Sequence, residues 1–247
     1  MAIYVGCAGW NLRKEFSHMF PAEGTHLQRY AQILNCVEIN SSFYRSHQRK
    51  TYERWAESTP ADFRFSVKLP KQITHVRGPS DIEDRLEQFI EEVSGLKDKL
   101  GTILVQLPPS AQFSLQGAAE ILGQLRLRID TPIACEPRHP SWFQPAAEKF
   151  MKELSVDRVA ADPSLVSEAA NPGGRGHHSY FRWHGSPRMY YSEYDEHTLR
   201  KLADCLNATA QTGQTVWCIF DNTATGAAQK NALEMLDLVA TRTSLSN

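Results

Sequence analysis

Short apolar runs alternate along the chain with longer stretches in which apolar residues return every three or four positions. The first pattern suits a strand, whose side chains alternate between two faces, and the second a helix that buries one stripe. Strands are predicted over residues 3–8, 36–40, 63–69, 102–107, 132–136, 157–162, 179–184 and 215–221. Helices are predicted over 25–34, 49–58, 81–99, 115–127, 145–154, 196–210 and 225–239. Residues 163–178 lack a helical period and carry Asn171-Pro172-Gly173-Gly174, so they read as an irregular loop. Strand and helix alternating about eight times is the pattern of a single TIM-barrel-like (β/α)8 domain spanning residues 1–247. An open doubly wound sheet is the alternative, but the G-x-G-x-x-G turn that such sheets use for phosphate is absent after the first strand.

Polar residues stand at the downstream ends of several predicted strands. Val37-Glu38-Ile39-Asn40, Phe65-Ser66-Val67-Lys68, Ala134-Cys135-Glu136-Pro137-Arg138 and Phe181-Arg182-Trp183-His184 share this form. Side chains two apart project together, which pairs Glu38 with Asn40, Ser66 with Lys68, Glu136 with Arg138 and Arg182 with His184. In parallel α/β folds the carboxyl ends of strands gather around one mouth, so the site is expected there. Parity carried through the other strands adds Gln106, Asp162 and Asn222, with Trp10 and His139 on adjoining loops. Trp183 has the opposite parity and is expected to face the helices.

Composition narrows the class without naming a reaction. With 247 residues, 41% of them hydrophobic, and a net charge of -1, the chain has the make-up of an ordinary globular protein. It lacks the basic excess of a dedicated nucleic-acid coat. No run approaches the roughly 20 apolar residues that span a bilayer, and polar residues 11–15 interrupt any signal-like start, so a cytoplasmic location and no membrane partner are expected. The five cysteines are scattered without a C-x-x-C pair and read as buried thiols. Cys7 lies beside the expected mouth and would act as a nucleophile only with a base to lower its pKa.

The segments Gly6-Cys7-Ala8-Gly9-Trp10, VEINSSFY at 37–44, LVQLPPS at 104–110, EPRHPSW at 136–142, FRWHG at 181–185 and Phe220-Asp221-Asn222 together resemble the DUF72, or YecE-like, family. The resemblance runs in order through nearly the whole chain. It implies one TIM-barrel-like α/β domain and no settled activity. Two departures from the family pattern are visible: Pro137 stands where an aromatic residue is more usual, and Asp221 where Asn is common. Parity opposite to Asn222 places Asp221 towards the helices.

The expected constellation joins Lys68, Arg138 and Arg182 to the amides of Asn40, Gln106 and Asn222 as a seat for a phosphate or carboxylate, with Trp10 beside it. Glu38 and Glu136 are expected to supply general base and acid, and His139 or His184 a proton shuttle. The plain alternative is a buried ion-pair network that closes the core. No cofactor is expected. A divalent metal is a secondary expectation, with Glu136, Asp162 and His184 as ligands, although Arg138 and Arg182 would oppose a dication. Rings at Trp10, Phe43, Tyr44, Trp142 and Trp183 either stack a base or sugar or pack the loops. The leading function is therefore an acid–base enzyme, a hydrolase first and an isomerase or lyase next, acting on a phosphate- or carboxylate-bearing small molecule. An endonuclease-like barrel gripping nucleic acid through Arg13, Lys14, Arg45 and Arg49 is less favoured, and a non-enzymatic anion-binding protein is the third reading.

Overall fold

Strands form where the sequence concentrates β-branched and aromatic residues, and a computed structural model describes them together with the rest of residues 2–75, 81–174 and 178–243. They are β1 (Ile3–Cys7), β2 (Cys36–Ile39), β3 (Arg64–Lys68), β4 (Leu100–Gln106), β5 (Ile133–Glu136), β6 (Val156–Arg158), β7 (Ala160–Asp162), β8 (Gly173–Gly174), β9 (His178–Trp183) and β10 (Thr215–Phe220). The principal helices lie close to their predicted places: His26–Ala31, Arg49–Glu57, Ile82–Val93, Pro145–Glu153, Glu196–Gln211 and Ala227–Thr243. Thr25 and Gln28 begin the first of these with a reciprocal capping box. The predicted helix over 115–127 is interrupted by a π turn at Ala119–Gly123.

Hydrogen bonding does not describe the expected closed eight-stranded barrel. It gives two sheets, one ordered β2-β3-β4-β5-β6-β8 and the other β1-β10-β9-β7, parallel throughout except for the short antiparallel β6–β8 pair. The predicted strand over 157–162 is broken at Val159, so that β6 pairs with β5 in the first sheet and β7 with β9 in the second. A single parallel bridge, Ala8 to Glu38, links β1 to β2. Gly6 permits that approach, since a Cβ there would meet the Cys36 carbonyl oxygen at 2.1 Å. The segment expected as an irregular loop over 163–178 holds β8 and a 3-10 turn at Ser167–Ala170; its residues 175–177 lie outside the described residues.

Two apolar clusters follow from the alternation of side chains. The larger packs strand residues such as Val37, Phe65, Val105 and Phe181 against the helices. The smaller gathers Ala8, Cys36, Leu104, Ala134, Val159, Tyr180, Trp217 and Ile219 on the opposite strand faces. Trp217 forms the floor of this inner cluster, 4.8 Å from the Tyr4 ring and 6.0 Å from that of Tyr180. A Cβ on Gly101 would lie 2.4 Å from the Trp217 ring. Because two further rings pin Trp217, Gly101→Ala is expected to lower stability by about 1–3 kcal/mol, measured by urea denaturation. An unchanged midpoint would show that the ring has room to retreat.

Candidate functional site

Above this floor the inner faces carry charge. Arg182 of β9 is fully buried and its guanidinium holds three carboxylates. Nε and Nη2 donate to the two oxygens of Glu38 at 2.9 and 2.8 Å, Nη1 to Glu136 at 3.1 Å, and Nη2 lies 2.9 Å from Asp221. The fork of a guanidinium suits this bidentate grip on a carboxylate. Tyr180, two residues earlier on the same face, donates to Glu38 at 2.9 Å, and the Ser66 hydroxyl lies 2.9 Å from the tyrosine oxygen. Gln106 meets Arg182 Nη1 through its side-chain oxygen at 3.4 Å.

His184 completes the layer nearer the strand ends. Its Nδ1 lies 3.0 Å from Asp221, while Nε2 lies 2.9 Å from both a Glu136 oxygen and Arg138 Nη2. Nε2 can donate to the carboxylate or accept from the guanidinium, and one proton decides which. Arg138 also reaches the same Glu136 oxygen through Nε at 2.6 Å, and among these three cluster partners it alone retains appreciable exposure, with 18% of its side chain accessible. Burial alone would raise the Glu136 pKa, but His184, Arg182 and Arg138 hold it well below the usual carboxylate range. Asp221 is likewise lowered: burial opposes its charge, and Arg182 and His184 outweigh burial.

Lys68, at the end of β3, is 5% exposed and its ammonium stands 4.1 Å from the Phe43 ring centroid. Among the described residues none accepts a hydrogen bond from it. Burial and the neighbouring Arg182 push its pKa down to about 8, against the pull of Glu38, Asp221 and Glu136. Around it the carboxylates Glu38, Glu136 and Asp221 offset the positive charges of Lys68 and Arg182. Tyr190 borders the cluster from the loop after β9, its ring edge-on to His184 at 5.7 Å. It has a φ of 68°, uncommon for a residue other than Gly, and burial followed by the charge of Asp221 raises its pKa.

Comparison with known proteins identifies the family and supports the fold. The family model described as "Protein of unknown function DUF72" matches residues 4–246. The chain belongs to the DUF72 family. Among relatives, UPF0759 protein YunF of Bacillus subtilis is 26% identical across 96% of this chain and 94% of its own. UPF0759 protein YecE of Escherichia coli K12 is 30% identical across 69% of this chain and 62% of its own length. A DUF72 family protein from Thermotoga maritima shares the fold with a TM-score of 0.81 at 24% identity, covering 97% of this chain and 100% of that one. Another from Enterococcus faecalis gives a TM-score of 0.78 at 25% identity over 96% and 97% of the two chains.

In this DUF72 chain the structure brings Glu38, Lys68, Gln106, Glu136, Arg138, Arg182 and His184 together and sends other expected residues elsewhere. Asn222 is turned away from the cluster, its amide nitrogen donating to Ser192 and Asn231 at 2.9 and 3.0 Å. Asp221 takes the inward place, contrary to the parity assigned from sequence, because Trp217 and Ile219 define the inner face of β10. Asp162 fails in the same way: it accepts from Tyr194 at 2.6 Å, so the metal set Glu136, Asp162 and His184 is not assembled. Among the described residues no three His, Cys, Asp or Glu side chains are placed to hold a metal ion.

Loop residues divide similarly. His139 uses Nδ1 to cap the turn Pro140–Phe143, accepting from the Ser141 backbone at 3.2 Å, and does not join the cluster. Trp10 packs edge-on to Trp55 at 5.0 Å. Asn40 is half-buried with its side-chain oxygen enclosed and unpartnered among the described residues. Cys7 faces the helices, where burial pushes its thiol up to about 12, unsuited to a nucleophile. Of the expected nucleic-acid rim, Arg49 is paired with Glu53 and Glu91, and Arg13 donates to the Ala224 carbonyl. Tyr180, Tyr190 and Asp221 are the residues that sequence reasoning missed. Glu136, expected as a general acid, is held ionised by His184, Arg182 and Arg138 and stands 2.9 Å from the imidazole. No helix among the described residues is long and apolar enough to cross a membrane.

Proposed function

We propose that this DUF72 chain is an acid–base enzyme acting on a small molecule that bears a carboxylate or phosphate. The observation that carries this reading is the seat of His184, a buried imidazole oriented by Asp221 and sharing Nε2 between Glu136 and Arg138. A substrate anion that draws on the outward side of Arg138 weakens its hold on Nε2 and leaves the imidazole free to exchange a proton. Glu136 and Asp221 orient the ring, Lys68 adds positive charge, and Arg182 keeps the carboxylates in place. Hydrolysis is the reaction class placed first, with isomerisation or lyase chemistry next. We also read the two sheets as halves of one TIM-like (β/α)8 domain; the Ala8–Glu38 bridge and the strand interrupted at Val159 support that reading.

The test compares wild type with His184→Asn on p-nitrophenyl acetate and p-nitrophenyl phosphate, and follows exchange of substrate protons in heavy water by NMR for pyruvate and dihydroxyacetone phosphate. Turnover or exchange is expected in the wild type and a fall of roughly 10²–10⁴-fold in the variant. Activity equal in both proteins would sink the assignment of His184. Thermal stabilisation by p-nitrophenyl phosphate, pyruvate or dihydroxyacetone phosphate without turnover would instead favour an anion-binding protein.

A further inference from the structure

An ammonium buried beside three carboxylates normally finds an acceptor, because desolvating a charge without hydrogen bonds is costly. Lys68 departs from that rule in its protein contacts, while its Nζ keeps some contact with solvent. It lies at the end of β3 on the inner face, 5% exposed, with an aromatic ring at 4.1 Å and no acceptor among the described residues. Arg182 already holds Glu38, Glu136 and Asp221, so the carboxylates that would hold a lysine ammonium are committed to a guanidinium. Asp221 is an electrostatic neighbour of both Lys68 and His184, which places the amine and the imidazole in one cluster.

We propose that the Nζ of Lys68 is an amine nucleophile that forms an imine with the carbonyl carbon of a substrate that also carries a carboxylate or phosphate. The inference rests on the acid–base reading above and narrows its substrate to a carbonyl compound, with bond cleavage or proton transfer next to that carbonyl as the chemistry.

Each step balances within the site. The neutral amine's electron pair forms the C–N bond as the carbonyl π bond breaks, and the oxygen takes a proton, with His184 as donor. The nitrogen then loses a proton, giving a neutral carbinolamine. As nitrogen re-forms the double bond, the C–O bond breaks and the hydroxyl leaves with a second proton as water. The sum is carbonyl, amine and one proton giving iminium and water, with no oxidant or reductant. The substrate's acidic group meets the outward side of Arg138. At neutral pH the lowered basicity of Lys68, from 10.5 to about 8, leaves roughly a tenth of its amine uncharged, against fewer than about one in a thousand for an ordinary lysine.

The test incubates the full chain at neutral pH with pyruvate, and separately with dihydroxyacetone phosphate, in the presence of sodium cyanoborohydride. Peptide mass spectrometry then locates the reduced adduct. Lys68 is expected to be labelled about a hundredfold faster than exposed lysines such as Lys149, and Arg138→Met to slow that labelling. Absence of a Lys68 adduct with both probes, or labelling that follows exposure alone, overturns the proposal. Because the wild-type map identifies the lysine directly, the result does not depend on a Lys68 variant that folds. His184-dependent proton exchange persisting without a Lys68 adduct would remove the imine and leave the acid–base reading standing; loss of both would remove the two together.

Discussion

Arg182→Met is expected to be the most destabilising single substitution in the cluster. Removing one partner of a buried ion pair costs about 3–5 kcal/mol because the other charge stays buried without compensation. Here one guanidinium serves Glu38, Glu136 and Asp221 together, and Arg182 itself is fully enclosed. A loss at the upper end of that range is a large share of the roughly 5–15 kcal/mol by which a domain is stable. Arg182→Lys keeps the charge but loses the fork that spans three carboxylates, so it should lie between wild type and Met. Adding Glu38→Leu to Arg182→Met removes one orphaned carboxylate and should recover part of the loss, with a coupling of about 0.5–3 kcal/mol. Urea denaturation followed by tryptophan fluorescence and by circular dichroism measures these four proteins and the Glu38→Leu single variant that closes the cycle. A single Met variant within about 1 kcal/mol of wild type would mean that water enters the cluster and screens it.

How far the site was legible depended on how each strand displays its two faces. In β2, β3, β5 and β9 the inner positions Glu38, Ser66, Glu136 and Arg182 are polar between apolar neighbours, so alternation betrayed the register. β10 gives no such cue: Val216, Trp217, Cys218, Ile219 and Phe220 are apolar on both faces, as a strand buried on both sides must be. A one-residue error in parity there exchanged Asp221 for Asn222. The break at Val159 hid the register of Asp162 in the same manner. Tyr180 and Trp217 were unreadable as inner residues for a further reason, since an aromatic side chain suits the helix-facing layer equally well. Loop residues carried the least signal. His139 and Tyr190 follow different strands, and only tertiary packing sends one to cap a turn and the other to border His184. The division of the strands into two sheets was illegible because strand order and closure reside in hydrogen bonds between distant segments.

Stability should fall in acid, and the wild type should gain on a Lys68→Met variant as pH rises from 7 to 9; depressed pKa values on two acids and on one cation of the cluster set these two effects. Glu136 and Asp221 have folded pKa values depressed from ordinary values of 4.5 and 3.8. Their stabilisation is present above those values and is lost as pH falls through the lower, folded ones, when protons neutralise the partners of Arg182 and His184. Lys68 is depressed too, from 10.5 to about 8, but it is a cation, so between those values the unfolded chain binds the proton that the folded chain has released. The contribution of Lys68 therefore grows with pH in that interval, by about 1 kcal/mol between pH 7 and pH 9. An opposing effect sets in above about pH 8 and cancels this gain by about pH 9. There the buried thiols of Cys7, Cys36, Cys135 and Cys218, all raised from 9.0, ionise in the unfolded chain before the folded one. Urea midpoints measured from pH 3 to pH 9 for wild type and Lys68→Met separate the contributions. Both proteins should share the acid limb and the thiol contribution, and the stability of the wild type relative to the variant should grow by about 1 kcal/mol from pH 7 to pH 9. A difference between the two proteins that stays constant from pH 7 to pH 9 would mean that Lys68 keeps its proton in the folded chain, and the same amine would then be too seldom uncharged near neutrality to attack a carbonyl.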